Sequence, residues 1–142
     1  MQKPLVPVDG SASAMRALSH AIGELGGSRP GVEIHLLNVQ AAPVHAFPGK
    51  LVSPDLIYGE LRREGEALLE QARAMAESAG LMTVCHVRVG HAGDEIAACA
   101  AEHGCDAIVM GTRGRGAVAR LLLGSVATRV VHVAQVPVTL VK

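Results

Sequence analysis

Asp106-Ala107-Ile108-Val109-Met110 runs directly into Gly111-Thr112-Arg113-Gly114, and after nine residues Gly124-Ser125 opens another patterned segment, Val126 to Ala134. A short apolar run bounded by glycine reads as a buried strand, and the segment from Ser125 onward has helical spacing. A buried strand that opens into glycines and leads to a helix beginning Gly-Ser is a construction suited to phosphate. Glycine lets the backbone approach a ligand and adopt positive φ. The N–H groups and the positive dipole end of the helix attract an anion.

The same alternation extends through the rest of the chain. Leu5-Val6-Pro7-Val8 predicts a first strand, although Pro4 and Pro7 remove backbone donors. After the turn Asp9-Gly10-Ser11, apolar residues at Ala14, Ala17, Leu18, Ala21, Ile22 and Leu25 recur at helical spacing up to Gly26-Gly27. Val32 to Val39 predicts a second strand, with Leu36-Leu37 buried on both faces of a parallel sheet. The proline-bearing stretch Gln40 to Val52 reads as a loop. Ser53-Pro54 then starts a long amphipathic helix that Gly80 ends. Met82 to Val89 predicts the third strand, Gly90 to Gly93 a turn and Asp94 to His103 the third helix. Asp106 to Met110, Ser125 to Ala134 and Pro137 to Val141 follow as strand, helix and strand. Strict alternation implies parallel strands with helices on both faces of one sheet. The expected fold is a single three-layer α/β domain, residues 1–142, with a five-stranded parallel sheet.

Composition narrows the function classes. Tyr58 and Phe47 are the only aromatic residues, so the core is aliphatic and base-stacking nucleic-acid platforms are excluded. With 13 basic and 13 acidic side chains, no global positive field draws in nucleic acid. No apolar run approaches the ~20 residues of a membrane span, and Met1 to Pro7 lacks the apolar core of a signal peptide. Cys85, Cys99 and Cys105 form no Cys-x-x-Cys pair and are expected as free, buried or half-buried thiols in a reducing cytoplasm. The seven histidines show no i, i+4 pair and no zinc spacing with cysteine. His86 and His91 straddle a strand end, and surface or packing roles are expected for the set, with no metal site.

In open parallel sheets ligands bind beyond the carboxyl ends of the strands, where the winding direction reverses. Two loops there carry suitable chemistry. Asp9 follows the first strand, and its carboxylate accepts hydrogen bonds from ribose hydroxyls or an adenine amine. It also suits a helix cap. The other loop is the glycine segment. Gly111 and Gly114 free N–H groups for phosphate, and the Ser125 hydroxyl donates to phosphate or caps its own helix. Gly111-x-x-Gly114-x-Gly116 also fits an ordinary turn. Arg113, Arg115 and Arg120 fit either solvated charges or added positive potential. The combination points to a site more strongly than any piece. No Gly-x-Gly-x-x-Gly follows the first strand, no P-loop sequence is present, and Asp9-Gly10-Ser11-Ala12-Ser13 is not the Ser-Gly-Gly-x-Asp-Ser loop of ATP pyrophosphatases.

On these residues the chain resembles the universal stress proteins of nucleotide-binding type. The family signature is Gly-x-x-Gly, nine residues, then Gly followed by Ser or Thr, and Gly111, Gly114, Gly124 and Ser125 match it without a gap. Val8-Asp9-Gly10-Ser11, Leu36-Leu37-Asn38-Val39 and Pro137-Val138 extend the resemblance over essentially the whole chain. It implies that the first strand lies beside the fourth, and that ATP is the ligand. Pro7, Val8 and Asp9 would then line the adenosine end, with Asp9 on the ribose, and Val39 would contact adenine. Met110, Gly111, Thr112, Arg113 and Gly114 would surround ribose and the first phosphates. Gly124, Ser125, Val126 and Ala127 would hold the outer phosphates, bridged by Mg²⁺ mostly through water. Many members carry Ser or Thr where this chain has Ala127, which removes one side-chain donor and leaves the backbone N–H.

Hydrolysis needs a group that positions water and charge stabilisation at the γ-phosphate. No second acidic residue accompanies the phosphate loop, so binding with slow or negligible turnover is expected. The corresponding function is a nucleotide-dependent stress-response sensor or adaptor; a slow hydrolase or phosphotransferase and a structural dimer with an empty site are the alternatives. Val138-Thr139-Leu140-Val141 is an apolar final strand, expected at a sheet edge. Family members typically dimerise through it, so a homodimer is implied.

Overall fold

The computed structural model describes residues 1–27, 30–43, 53–114 and 122–142. Strands β1 (Pro4–Pro7), β2 (Glu33–Gln40), β3 (Met82–Val89), β4 (Ala107–Gly111) and β5 (Val138–Val141) alternate with helices α1 (Ala12–Leu25), α2 (Pro54–Ser78), α3 (Ala92–Glu102) and α4 (Ser125–Val133). The strands form one sheet in the order β3-β2-β1-β4-β5, and every pairing is parallel.

Side chains alternate faces along each strand, and the two cores follow that alternation. Val6, Val8, Ile34, Leu36 and Val109 pack beneath α1 and α2 with Ala17, Leu18, Ala21, Leu69, Ala72 and Ala76. Leu5, Leu37, Ile108 and Met110 pack on the other face against Ile96, Cys99, Ala100, Ala127 and Val130 of α3 and α4. Leu36 and Leu37 thus serve opposite cores, as expected of a strand covered on both sides. Small residues set how closely the layers meet. A β-carbon on Gly65 of α2 would stand 2.5 Å from Val87 Cγ1 and 3.0 Å from Asn38 Oδ1.

Most departures from the predicted elements lie at their ends. β1 is the central strand although proline stands at both its termini, because a missing donor is tolerated where the ladder begins or ends. α3 begins at Ala92 rather than Asp94, taking Gly93 into its first turn, with His91 as N-cap. There a β-carbon on Gly93 would meet Arg129 Cγ of α4 at 2.5 Å, so glycine serves helix contact rather than a turn. Ser53 occupies the N-cap of α2 but makes no side-chain cap bond. All three cysteines are free, with Cys99 and Cys105 buried, whereas Cys85 on edge strand β3 is exposed rather than covered. Among the described residues, no helix is long and apolar enough to cross a membrane. The predicted loop Gln40 to Val52 lies largely outside the described residues, as do Arg115, Gly116 and Arg120.

Candidate functional site

The sheet winds one way from β1 through β2 to β3 and the other way through β4 and β5, so the switch point lies between β1 and β4. At the end of β1 the Asp9 Oδ1 accepts the Ser11 N–H at 2.9 Å, closing an Asx turn through Gly10, whose φ is +84°. Ser11 is the N-cap of α1, its Oγ accepting the Ala14 N–H at 3.1 Å. The cap is therefore Ser11, and Asp9 is not used as one. Buried Asn38 secures this turn from the neighbouring strand: its Nδ2 donates to Val8 O at 2.8 Å, and its Oδ1 accepts from Gln40 Nε2 at 2.7 Å.

The glycine loop leaves β4 next to that turn. Gly111 lies against Ser13 of α1, and any β-carbon there would overlap the Ser13 hydroxyl. Gly114 lies against Asp9, where a β-carbon would be 2.6 Å from Oδ2. Gly124 returns onto the loop. Its N–H donates to Thr112 O at 2.6 Å, and a β-carbon on it would meet Thr112 O at 3.3 Å and Arg113 Cα at 3.5 Å. None of these three glycines is among the positive-φ positions, and Gly124 has φ −71°. Close approach is what requires glycine here, not left-handed backbone; that demand falls on Gly10 instead.

Gly124 is also the N-cap of α4, without a side-chain cap bond, so Ser125 is the first helical residue and its hydroxyl does not cap the helix. Thr128 is the first residue whose N–H finds an acceptor inside the turn, Gly124 O at 3.0 Å. Helix geometry leaves the N–H groups of Ser125, Val126 and Ala127 without intrahelical partners, at the positive end of the dipole. Ala127 is buried against the α3 core, so a hydroxyl at this position would have to share an apolar niche.

The two loops enclose a cavity of about 390 Å³, within the range of small-molecule sites. All of the residues predicted from sequence line it: Pro7, Val8 and Asp9, then Val39, then Met110 through Gly114, and Gly124 through Ala127. Sequence reasoning missed Ser11, Ala14, Leu37, Ala92 and Ile96. Ala92 belongs to the two residues by which α3 begins earlier than predicted, and Ile96 lies one turn further along the same helix. A third loop leaving a strand's carboxyl end, Gly90 to Gly93, was the signal for them. The walls from Pro7, Leu37, Val39, Ile96 and Met110 are apolar, while Asp9, Thr112, Arg113, Ser125 and the start of α4 are polar. Such a cavity suits a ligand with a flat apolar part, hydroxyls for the Asp9 carboxylate and an anionic end at α4. Asp9 is the one carboxylate among the described lining residues.

Residues 1–142 match the sequence profile of the universal stress protein family. The chain is similar to universal stress protein MJ0531 of Methanocaldococcus jannaschii, with 34% identity over 142 residues, 99% of this chain and 82% of the relative. Among solved structures, that of protein MJ0577 is similar with a TM-score of 0.83 and 27% identity, covering 99% of this chain and 95% of its own. A universal stress protein in complex with cAMP has a TM-score of 0.67 and 27% identity, covering 99% and 96%. Profile, relatives and sheet order agree over the full length, and the chain belongs to the universal stress protein family.

Proposed function

We propose that this cavity binds an adenine nucleotide, ATP with Mg²⁺, and that the protein acts as a nucleotide-dependent sensor or adaptor in a stress response. The observation that carries the reading is the meeting of Asp9 with the Gly111–Gly114 loop and the start of α4 around one cavity. Adenine would lie between Val39 and the apolar wall, ribose hydroxyls on Asp9, and phosphates against the N–H groups of Gly114, Ser125, Val126 and Ala127. The family relative solved in complex with cAMP supports an adenine nucleotide as the ligand. The residues present fit Mg²⁺ held chiefly by phosphate oxygens and water, since the described lining offers a single carboxylate and that one faces the ribose end. For the same reason turnover is slow or negligible: no second acid stands ready to orient water at a γ-phosphate. β5 is an edge strand, and pairing with a second copy of itself would cover that edge in a cytoplasmic homodimer.

The test begins with the ultraviolet spectrum of the purified protein. Tyr58 is the only tyrosine and tryptophan is absent, so bound adenine would dominate. Extraction then identifies the nucleotide, and its ATP-to-ADP ratio followed over hours reads turnover. Protein that carries no nucleotide and shows no heat on titration with ATP and Mg²⁺ overturns the proposal. ATP consumption faster than about 1 s⁻¹, the low end for kinases, overturns the non-enzymatic reading. Sedimentation at micromolar concentration tests the dimer.

A further inference from the structure

His35 of β2, His86 of β3 and His103 at the C-cap of α3 converge on the α3 face of the sheet, one ligand nitrogen of each within 4.8 Å of the others. The parallel register explains the meeting. Leu37 is level with His86, so His35, two residues earlier, points to the same face. α3 crosses that face and ends at Glu102, where Gly104 (φ +62°) turns the chain towards β4 and leaves His103 above the pair. The His35 and His86 rings stack with centroids 5.0 Å apart, and those of His86 and His103 are 4.1 Å apart. The sequence assigned these histidines to surface and packing roles, because nothing in their spacing shows that three elements bring them together.

The hydrogen bonds orient the set for an ion. His35 Nε2 lies 2.9 Å from Glu33 Oε1, and Glu33 also pairs with Lys3 Nζ at 3.0 Å. A carboxylate only accepts, so Nε2 carries a proton, and in the neutral tautomer with that proton the lone pair sits on Nδ1, 2.8 Å from His86 Nε2. An outer N–H on a carboxylate with the inner nitrogen directed at the ion is the arrangement that orients metal-bound histidine. His35 is only 3% exposed, which fixes its ring, whereas His103 is exposed and opens the cluster to solvent. The charge of Arg88 is balanced by Glu95 at 3.0 Å and Glu102 at 2.7 Å.

We propose that His35 Nδ1, His86 Nε2 and a ring nitrogen of His103 bind Zn²⁺, with water in the fourth position. Three neutral imidazoles suit a borderline transition ion rather than Mg²⁺ or Ca²⁺. On binding, the His86 proton moves from Nε2 to Nδ1 through solvent, and the metal replaces the hydrogen bond between His35 and His86. The two nitrogens then separate from 2.8 Å to about 3.3 Å, the edge of a tetrahedron with bonds near 2.05 Å. None of the three histidines lines the nucleotide cavity, but the two places adjoin: Leu37, level with His86, and Ile96, about 10 Å along α3 from His103, both line it.

The test uses the full, tag-free chain, freed of metal and nucleotide, titrated with Zn²⁺ alone against a chromophoric chelator and with Co²⁺ as a spectroscopic probe. One ion per chain and the intense visible bands of four-coordinate Co²⁺ are expected. His103→Ala alters an exposed side chain and should keep its circular dichroism while weakening Zn²⁺ roughly 10-fold or more. His20→Ala, on the exposed side of α1, should bind like the parent. Failure to bind one ion per chain, a six-coordinate Co²⁺ spectrum, equal affinity in His103→Ala, or an equal loss in His20→Ala would each overturn the assignment.

Discussion

The Asp9 carboxylate and the α-carbon of Gly114 face one another so closely that a β-carbon on residue 114 would stand 2.6 Å from Oδ2. The first loop and the fourth meet at this point. Gly114→Ala pushes the carboxylate aside, and Gly114→Val fills the space it needs. Both variants should keep the melting temperature of the parent within a few degrees. Nucleotide affinity by calorimetry should fall in the order Ala, then Val, with Val abolishing binding. Asp9→Ala should weaken binding about 10- to 100-fold, the value of hydrogen bonds to a charged group.

Gly124 meets backbone rather than a movable side chain, at Thr112 O and Arg113 Cα. Gly124→Val must therefore displace the loop or the start of α4. ATP binding should be lost with circular dichroism unchanged, and adenosine should retain more of its parental affinity than ATP does. Parental ATP affinity in both Gly124→Val and Gly114→Val protein would mean that this loop is only a turn.

Gly111 serves packing. Its missing β-carbon is the room that Ser13 of α1 occupies, and the Ser13 Oγ is buried without a hydrogen-bond partner among the described residues. Gly111→Ala should cost about 1–3 kcal/mol by overpacking. Ser13→Gly in the same chain should restore much of that loss in denaturant unfolding, giving a coupling energy that distant pairs lack.

Asn38 is buried and ties Val8 O to β2. Asn38→Ala leaves that carbonyl unpaired and should destabilise the fold by about 1–3 kcal/mol. It also loosens the turn bearing Asp9, so nucleotide affinity should fall even though Asn38 does not line the cavity. Thermal unfolding with and without nucleotide separates the two effects.

The thiols differ in environment. Burial, reinforced by Cys99 and acidic neighbours, raises the Cys105 thiol to about 11, and burial also raises Cys99. At pH 8 only about one Cys105 in a thousand is thiolate, and the residue is covered as well. Exposed Cys85 should take up iodoacetamide first, giving one label per native chain by mass spectrometry. Cys99 and Cys105 should react only after unfolding.

The order of strands and helices was legible from residue 1 to 142, because apolar periodicity and glycine punctuation are local signals written along the chain. The glycine loop and Gly124-Ser125 were legible for the same reason, since a strand, a loop and a helix start are neighbours in sequence. Gly93 was read as turn because its true constraint, Arg129 of α4, lies far along the chain. Ser125 was given a possible cap that Gly124 holds instead, a choice decided by backbone angles at one residue.

The sequence alone therefore determined the α/β alternation, the family resemblance and most of the cavity residues that belong to a named motif, Ser11 and Leu37 excepted. Only the tertiary structure decided what those glycines are for, which part of α3 closes the cavity, and that His35, His86 and His103 form one cluster. The physical reason is distance along the chain. Motif residues act within one turn of their neighbours, whereas Gly114 against Asp9, or His103 above His35, exists only once separate strands share a sheet and the helices settle on its faces.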